Sequence, residues 1–379
     1  MASQEKALEM ARVALQKCST PHGMHASGGK GGYNMVFSRD SMIGLIGASV
    51  ADSKNQFKSQ FRITLDTLGK NQSMAGQIPN AVDNWDSKRK KQSTFATIDS
   101  TLWWLLGMKA YASAYKDSSI LRKKKKEVDK AFFWLLCQDT GEDCLPEQHP
   151  TSDWQDCFPH KYGHTINSVA LYYSALKLFD KTSLAKKVKA AAMGESGHLS
   201  MFNEKLGYFF PWRWKGHDGI TEQETWFDSL GNVLAVCGGL AGKAEAESIL
   251  DFVEAKGLDK PYPIRAIYPP IRRGTKEWQD YFSKCLAAKP NYYINGGIWP
   301  YIGGFYVTAL VKAKRFEKAE HELEKLLHCN ELGVKYKWEF NEWVHPITKK
   351  AGGSSYHAWS AGTFILASKS VAEKKVPFF

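Results

Sequence analysis

The chain has 379 residues, 43% of them hydrophobic, which is enough for a large core in one or two domains. Its net charge of +12 is carried partly by Lys88-Arg89-Lys90-Lys91 and Arg122-Lys123-Lys124-Lys125-Lys126; neither run is interleaved with the aromatics and glycines of RNA-binding modules, so a solvated surface is expected and no nucleic-acid partner. No stretch of about 18 apolar residues occurs, so no spanning helix and no membrane partner are expected.

The first ten residues lack the apolar run of a signal peptide and read as an amphipathic helix. Seven scattered cysteines without a Cys-x-x-Cys pair suggest neither a disulfide framework nor a zinc site. A reduced, cytoplasmic location is the expectation.

In chain order, apolar residues recur at helical spacing near 4–18, 40–51, 56–69, 97–115, 120–138, 164–179, 183–193, 226–241, 243–255, 275–287, 299–313, 316–328 and 356–371. Alternating stretches long enough for a sheet are nearly absent. Short connections, such as 239–243 and 313–315, alternate with long ones at 20–39, 71–96, 140–163, 201–225, 256–274, 288–298 and 330–355. Long loops in a compact domain are usually functional or disordered. These are too aromatic for disorder, in a chain with 13 tryptophans and 16 tyrosines. They suit the floor and rim of a site for a ring-shaped polar ligand. The expected fold is all-α, an (α/α)6 toroid of six helical hairpins with long loops on one face. Without a linker or compositional break, residues 1–379 read as a single domain.

Five junctions between loop and helix carry polar residues beside apolar helix starts. The first holds Tyr33, Phe37, Arg39 and Asp40; the second places Asp99 before Trp103 and Trp104. Either aspartate could be an ordinary cap or could accept hydrogen bonds from sugar hydroxyls. The third, Asp153-Trp154-Gln155-Asp156, sets two carboxyl groups around a large ring, where burial raises a pKa and creates a proton donor. The fourth is Asn295-Gly296-Gly297 with Trp299, whose glycines permit close approach of backbone to ligand. The fifth surrounds Glu339 and Glu342 with Trp338, Phe340 and Trp343 and continues to His357 and Trp359. So much aromatic surface around carboxylates costs solvation and favours a functional role.

A protonated carboxylic acid paired with a second carboxylate is the requirement of glycoside hydrolysis. The motifs add a resemblance. Tyr33-Asn34-Met35-Val36-Phe37-Ser38-Arg39-Asp40, Ile98-Asp99-Ser100-Thr101-Leu102-Trp103-Trp104, Asp156 followed by Tyr162-Gly163-His164, Ser229-Leu230-Gly231-Asn232, Asn295-Gly296-Gly297 with Trp299-Pro300, and Glu342 before Trp359-Ser360 resemble, in order, motifs of the neutral/alkaline invertases (glycoside hydrolase family 100) and of related six-hairpin, debranching-enzyme-like α-glucosidases. The resemblance implies a cofactor-independent hydrolase of a small α-glucoside, invertase-like with sucrose foremost. Asp156 would be the general acid and Glu342 the second catalytic carboxylate. Asp40, Asp99 and His164 would line the glucosyl subsite, and Tyr33, Phe37, Arg39, Trp103, Trp154, Asn295, Gly296, Trp299, Trp343, His357 and Trp359 would complete the substrate-binding set. Asp153 and Glu339 are the rival carboxylates.

Two departures from the invertases are plain. Cys157-Phe158 replaces an arginine pair after the aspartate, and Phe340-Asn341 replaces Trp-Pro before Glu342. They leave fold and reaction class intact and bear on sucrose as substrate. The alternatives are an α-1,6-glucosidase or other small α-glucoside hydrolase of the debranching-like group and, from another class, a non-catalytic carbohydrate-binding protein. Inversion is expected by analogy with related families. The spacing of His160 and His164 is compatible with a metal, but no glutamate or third histidine stands nearby and His160 falls in the loop, so no metal is expected. Neither a phosphate loop nor a nucleophile elbow occurs; the run 28–32 is too isolated to suggest nucleotide binding. An exposed apolar helix face could support a homo-oligomer.

Overall fold

The computed structural model describes residues 2–83, 85, 92–197, 199–215 and 219–379. Among them are thirteen α-helices: α1 (Ala2–Cys18), α2 (Ser38–Ser49), α3 (Lys58–Lys70), α4 (Asp99–Ala114), α5 (Ser119–Lys123), α6 (Lys125–Leu136), α7 (Ile166–Leu178), α8 (Thr182–Ala192), α9 (Ser229–Gly238), α10 (Lys243–Ala255), α11 (Pro300–Lys312), α12 (Phe316–Glu331) and α13 (Ala358–Glu373).

Two helix types divide the labour. Helices α2, α4, α7, α9, α11 and α13 are buried nearly all round, and each packs against the next. Helix α13 packs back onto α2, so the six close into a ring. Glycines permit that closure: a Cβ on Gly47 would lie 1.9 Å from the Gly362 carbonyl oxygen. The others bury one stripe only, as α3 does with Phe61, Thr64, Leu65 and Leu68, and form an outer layer.

Outer and inner helices alternate along the chain, with α5 and α6 sharing one outer position. Each inner helix therefore enters the ring from the same end. The connections from outer to inner helix are long: 19–37, 71–98, 137–165, 193–228, 256–299 and 332–357. Those from inner to outer are short, such as 179–181 and 313–315. Gly239, at φ 81, ends α9 in the left-handed conformation that glycine tolerates, and Pro300 opens α11 where no donor is needed.

The chain is helix-rich as expected, but it is not all-α. Among the described residues the long connections pair into six small antiparallel sheets, including Trp343–Val344 with Ala351–Gly352, and a four-stranded sheet joining Thr221–Gln223, Trp212–Lys215, Gly163–Thr165 and Glu147–Gln148. Strands of two to four residues are too short to leave an alternating pattern. The helix expected at 275–287 is replaced by 3-10 turns, Asp280–Lys284 and Leu286–Ala288, broken by an extended Cys285. No helix among the described residues is long and apolar enough to cross a membrane. The basic run 88–91 lies outside the described residues. The run 122–126 lies on α5 and α6, where Lys124 pairs with Asp66 and Glu127.

Candidate active site

The six long connections meet above the N-terminal ends of the inner helices, where helix dipoles favour negative charge. Asp40 stands in the first turn of α2 and Asp99 opens α4. Arg39 grips Asp99 in a buried bidentate pair, Nε to Oδ2 at 2.7 Å and a second guanidinium nitrogen to Oδ1 at 3.0 Å. Asp40 keeps its carboxyl beside this pair. Burial pushes its pKa up to about 7; Arg39 opposes the rise, and the charges of Glu342 and Asp156 add to it.

Glu342 stands just before the hairpin strand Trp343–Val344 and faces Tyr33 and Tyr293. Tyr293 donates to its Oε1 at 3.0 Å, Tyr33 reaches the same oxygen at 3.5 Å, and the Ser354 N–H donates to Oε2 at 3.0 Å. Burial raises its pKa, and these three donors counter the rise by favouring the carboxylate. Gly353, at φ +74, is what lets the carboxylate fit: a Cβ there would fall 2.2 Å from Glu342 Oε2.

Asp156 is surrounded differently. Its side chain is open to solvent, while the protein packed behind it raises its pKa, with Arg39 opposing and Asp99 and Asp153 adding to the rise. Solvent exposure tempers that rise. Among the described residues no other side chain donates a hydrogen bond to it. Tyr33 and Tyr293 feel the charges of both Asp156 and Glu342, so the two carboxylates border one space.

The rival carboxylates are occupied. Asp153 meets Lys161 at 2.8 Å, and the same ammonium meets Asp228 at 3.1 Å, all three side chains fully buried. Asp228 also caps α9 through the Gly231 N–H. Glu339 accepts hydrogen bonds from the backbone N–H groups of Val334, Lys335 and Tyr336. Each holds loop structure.

Most of the expected aromatics gather here. Trp299 packs edge-on to Trp154 at 5.4 Å and to Trp359 at 5.7 Å, and Tyr301 stacks on Trp359 at 4.3 Å. His357 stacks on Trp359 at 4.6 Å and lies 3.8 Å from Asp40 Oδ1. Burial pulls the His357 pKa down to about 3, so the ring is neutral, and neither nitrogen has a protein hydrogen-bond partner. The indole nitrogens of Trp154, Trp343 and Trp359 are likewise buried without a partner. Phe37 packs against Tyr33, and Trp343 packs beside Tyr293. A cavity of about 820 Å³ opens over Tyr33, Tyr293, Glu339, Glu342, Trp343 and Ser354.

Other expected residues serve the scaffold. Trp103 is fully buried inside the ring, stacked on Phe305 at 5.8 Å. The Asn295 side chain is spent on the backbone of Ile271 and Ala287, and Gly296, at φ +88, makes the turn beside it. His164 is not brought to the cluster. Its strand pairs with Trp212–Lys215 and Glu147–Gln148, and its Nε2 lies 3.1 Å from Asp143. Burial alone would lower the His164 pKa, but Asp143 and Glu147 outweigh it and raise the value. Among the described residues no group of three or more His, Cys, Asp or Glu could hold a metal ion.

Three contributors went unread in the sequence: Tyr293, Ser354 and Lys161. Tyr293 stands two residues before the Asn295-Gly296-Gly297 motif, a position that could have drawn notice. Nothing in the sequence marks Lys161 as buried.

Comparison with known proteins follows the same lines. A family model described as alkaline and neutral invertase matches residues 201–374, and one described as amylo-alpha-1,6-glucosidase matches residues 4–136. Neutral/alkaline invertase 1, mitochondrial, of Oryza sativa subsp. japonica is 23% identical over 280 residues, covering 60% of this chain and 44% of its own length. Alkaline/neutral invertase E, chloroplastic, of Arabidopsis thaliana is 24% identical over 323 residues, covering 72% and 51%. The chain spans about half the length of the curated relatives it matches. Among solved structures, the GH63 mannosylglycerate hydrolase of Thermus thermophilus in complex with Tris and D-glycerate shares the fold at a TM-score of 0.71 with 13% identity, covering 95% of this chain and 99% of that one. The same hydrolase in complex with glucose gives 0.70 at 14% identity, covering 94% and 99%. The resemblance to the neutral/alkaline invertases and to debranching-type α-glucosidases thus holds beyond the motifs that suggested it.

Proposed function

We propose that this protein is a glycoside hydrolase that cleaves the α-glucosidic bond of a small glucoside, with sucrose as the leading substrate and no cofactor in the reaction. The observation that carries the proposal is the unequal treatment of two carboxyl groups facing one space. Burial raises the pKa of both; Glu342 accepts three hydrogen bonds that favour its charged form and counter the rise, whereas Asp156 accepts none from another side chain. Environments that part a carboxyl pair in this way create an acid and a base.

In this reading Asp156 protonates the departing glycosidic oxygen. Glu342 takes a proton from a water molecule that attacks the anomeric carbon from the opposite face, inverting its configuration. Asp40 and the neutral His357 bind glucosyl hydroxyls, His357 through a ring that can donate at one nitrogen and accept at the other. The aromatic group of Trp154, Trp299 and Trp359 gives the sugar an apolar floor, and the Arg39–Asp99 pair holds Asp40 in place. The match of residues 4–136 to amylo-alpha-1,6-glucosidase and the Cys157-Phe158 departure keep an α-1,6-linked or other small glucoside as the second reading.

Product analysis on sucrose, trehalose, isomaltose, maltotriose and glucosylglycerate tests it, with Asp156→Asn and Glu342→Gln beside the wild type. Release of glucose from one of these, lost in both variants, is expected, and NMR of the fresh product should show inverted configuration. Full activity in Asp156→Asn would overturn the acid assignment. Saturable sugar binding without turnover would favour a carbohydrate-binding protein.

A further inference from the structure

We infer that Cys157 and Cys285 form a redox-responsive thiol pair, which closes reversibly into a disulfide and pins the Asp156 loop to the facing wall of the cavity. The sulfurs come within 2.7 Å although 128 residues separate them in sequence. No other cysteine pair is in contact among the described residues, where all seven thiols are free. Cys157 directly follows Asp156. Cys285 lies on the cavity wall, in the extended break between two 3-10 turns.

The segments are already joined around the sulfurs. Phe158 packs on Phe282 at 4.5 Å between ring centres, and His160 Nδ1 meets the Tyr281 hydroxyl at 2.8 Å. Closing the bond moves the sulfurs from 2.7 Å to about 2.05 Å, so neither backbone has far to travel. Both thiols are half-buried, and the cavity gives a small oxidant a path to Cys285. The two thiols share a hydrogen bond and the Ala287 N–H also donates to the Cys285 sulfur, and together these pull the Cys285 pKa down to about 7. Cys285 is therefore the sulfur that attacks first.

With hydrogen peroxide as the oxidant, the Cys285 thiolate attacks one oxygen, the O–O bond breaks to give a sulfenic acid, and the departing hydroxide takes up the proton that Cys285 had released and leaves as one water. Cys157 then attacks that sulfur, the S–O bond breaks, and its hydroxide leaves as a second water. Two thiols and one peroxide become one disulfide and two waters, and a dithiol reductant reverses the change.

The effect on turnover rests on the glycosidase reading; the bond itself does not. Oxidation removes a thiolate whose charge disfavours ionised Asp156, and it tethers the loop that must aim the acid.

The test is a mass map of the intact protein after hydrogen peroxide, with alkylation of the remaining thiols and Cys137, which is exposed, as the reactive reference. A peptide pair joined through Cys157 and Cys285 is expected, absent in Cys157→Ser and in Cys285→Ser, and lost after dithiothreitol. Both sulfurs alkylated while Cys137 is oxidised would overturn the pair. In the oxidised enzyme the rate on the best glucoside should fall about tenfold, since misplacing a catalytic group by about 1 Å can cost a hundredfold, and the alkaline limb of the pH profile should move to lower pH. A formed bond with unchanged rate and profile would overturn the tether. The mass map decides the bond whether or not any glucoside is turned over.

Discussion

The phenol of Tyr293 donates to Oε1 of Glu342 at 3.0 Å, linking two connections that lie 49 residues apart. A single neutral hydrogen bond thus bears on which protonation state a buried carboxyl group holds. Tyr293 is expected to act as a positioning residue for the base.

Tyr293→Phe removes a donor that favours ionised Glu342, so the Glu342 pKa rises further. The acidic limb of kcat/KM should move to higher pH and the plateau should fall about tenfold, in keeping with a hydrogen bond to a charged group. A pH–rate profile superimposable on that of the wild type would count against the role.

Lys161→Met strands two carboxylates in a fully buried site. Breaking one partner out of such a triad costs about 3–5 kcal/mol, which should appear as a large fall in the midpoint of thermal unfolding. The triple variant that also carries Asp153→Asn and Asp228→Asn should recover part of the loss. A single variant as stable as the wild type would show that the triad contributes nothing net.

Asp40 has a folded-state pKa of about 7 against an ordinary 3.8. The folded protein therefore holds that proton more tightly than the unfolded chain does. The stability linked to it is complete below the unfolded value and drains away as pH rises through about 7. In Asp40→Asn this component disappears, so the variant should gain stability relative to wild type between pH 4 and pH 7. The check is the difference in unfolding midpoint across that window, and a flat difference would dismiss the raised pKa.

Gly353→Ala places a methyl group 2.2 Å from Glu342 Oε2 at a backbone φ of +74. The strained conformation costs about 1–3 kcal/mol, and the carboxylate must leave its three donors. A fall in kcat larger than any rise in KM is expected. Unchanged kcat would mean that Glu342 has room elsewhere.

The fold was largely legible because its two helix types leave different marks. Inner helices such as α4 are apolar nearly throughout, and outer helices such as α12 carry one apolar stripe among Glu and Lys. Strands such as Trp343–Val344 leave no mark, since two residues cannot alternate. At the site, Asp156 and Glu342 stood out through motif and aromatic surroundings. What occupies Asp153 is its contact with Lys161, which local sequence does not encode. His164 misled for a related reason. Its motif placed it close to Asp156 in sequence, but strand pairing turned it toward Asp143. Tyr293 supports Glu342 from a distant connection, so only tertiary packing could reveal it.

The ring divides its two ends between different tasks. The site's side chains hang from the connections that run from outer to inner helix or from the first turns of the inner helices, while the opposite end is closed by turns as short as 179–181 and 313–315. Chain ends relocated to that far side would leave the site's loops uncut, so a circularly permuted gene opened between α7 and α8 should still encode a working arrangement. The same geometry frees the site's loops to change length and composition with little demand on the helices beneath.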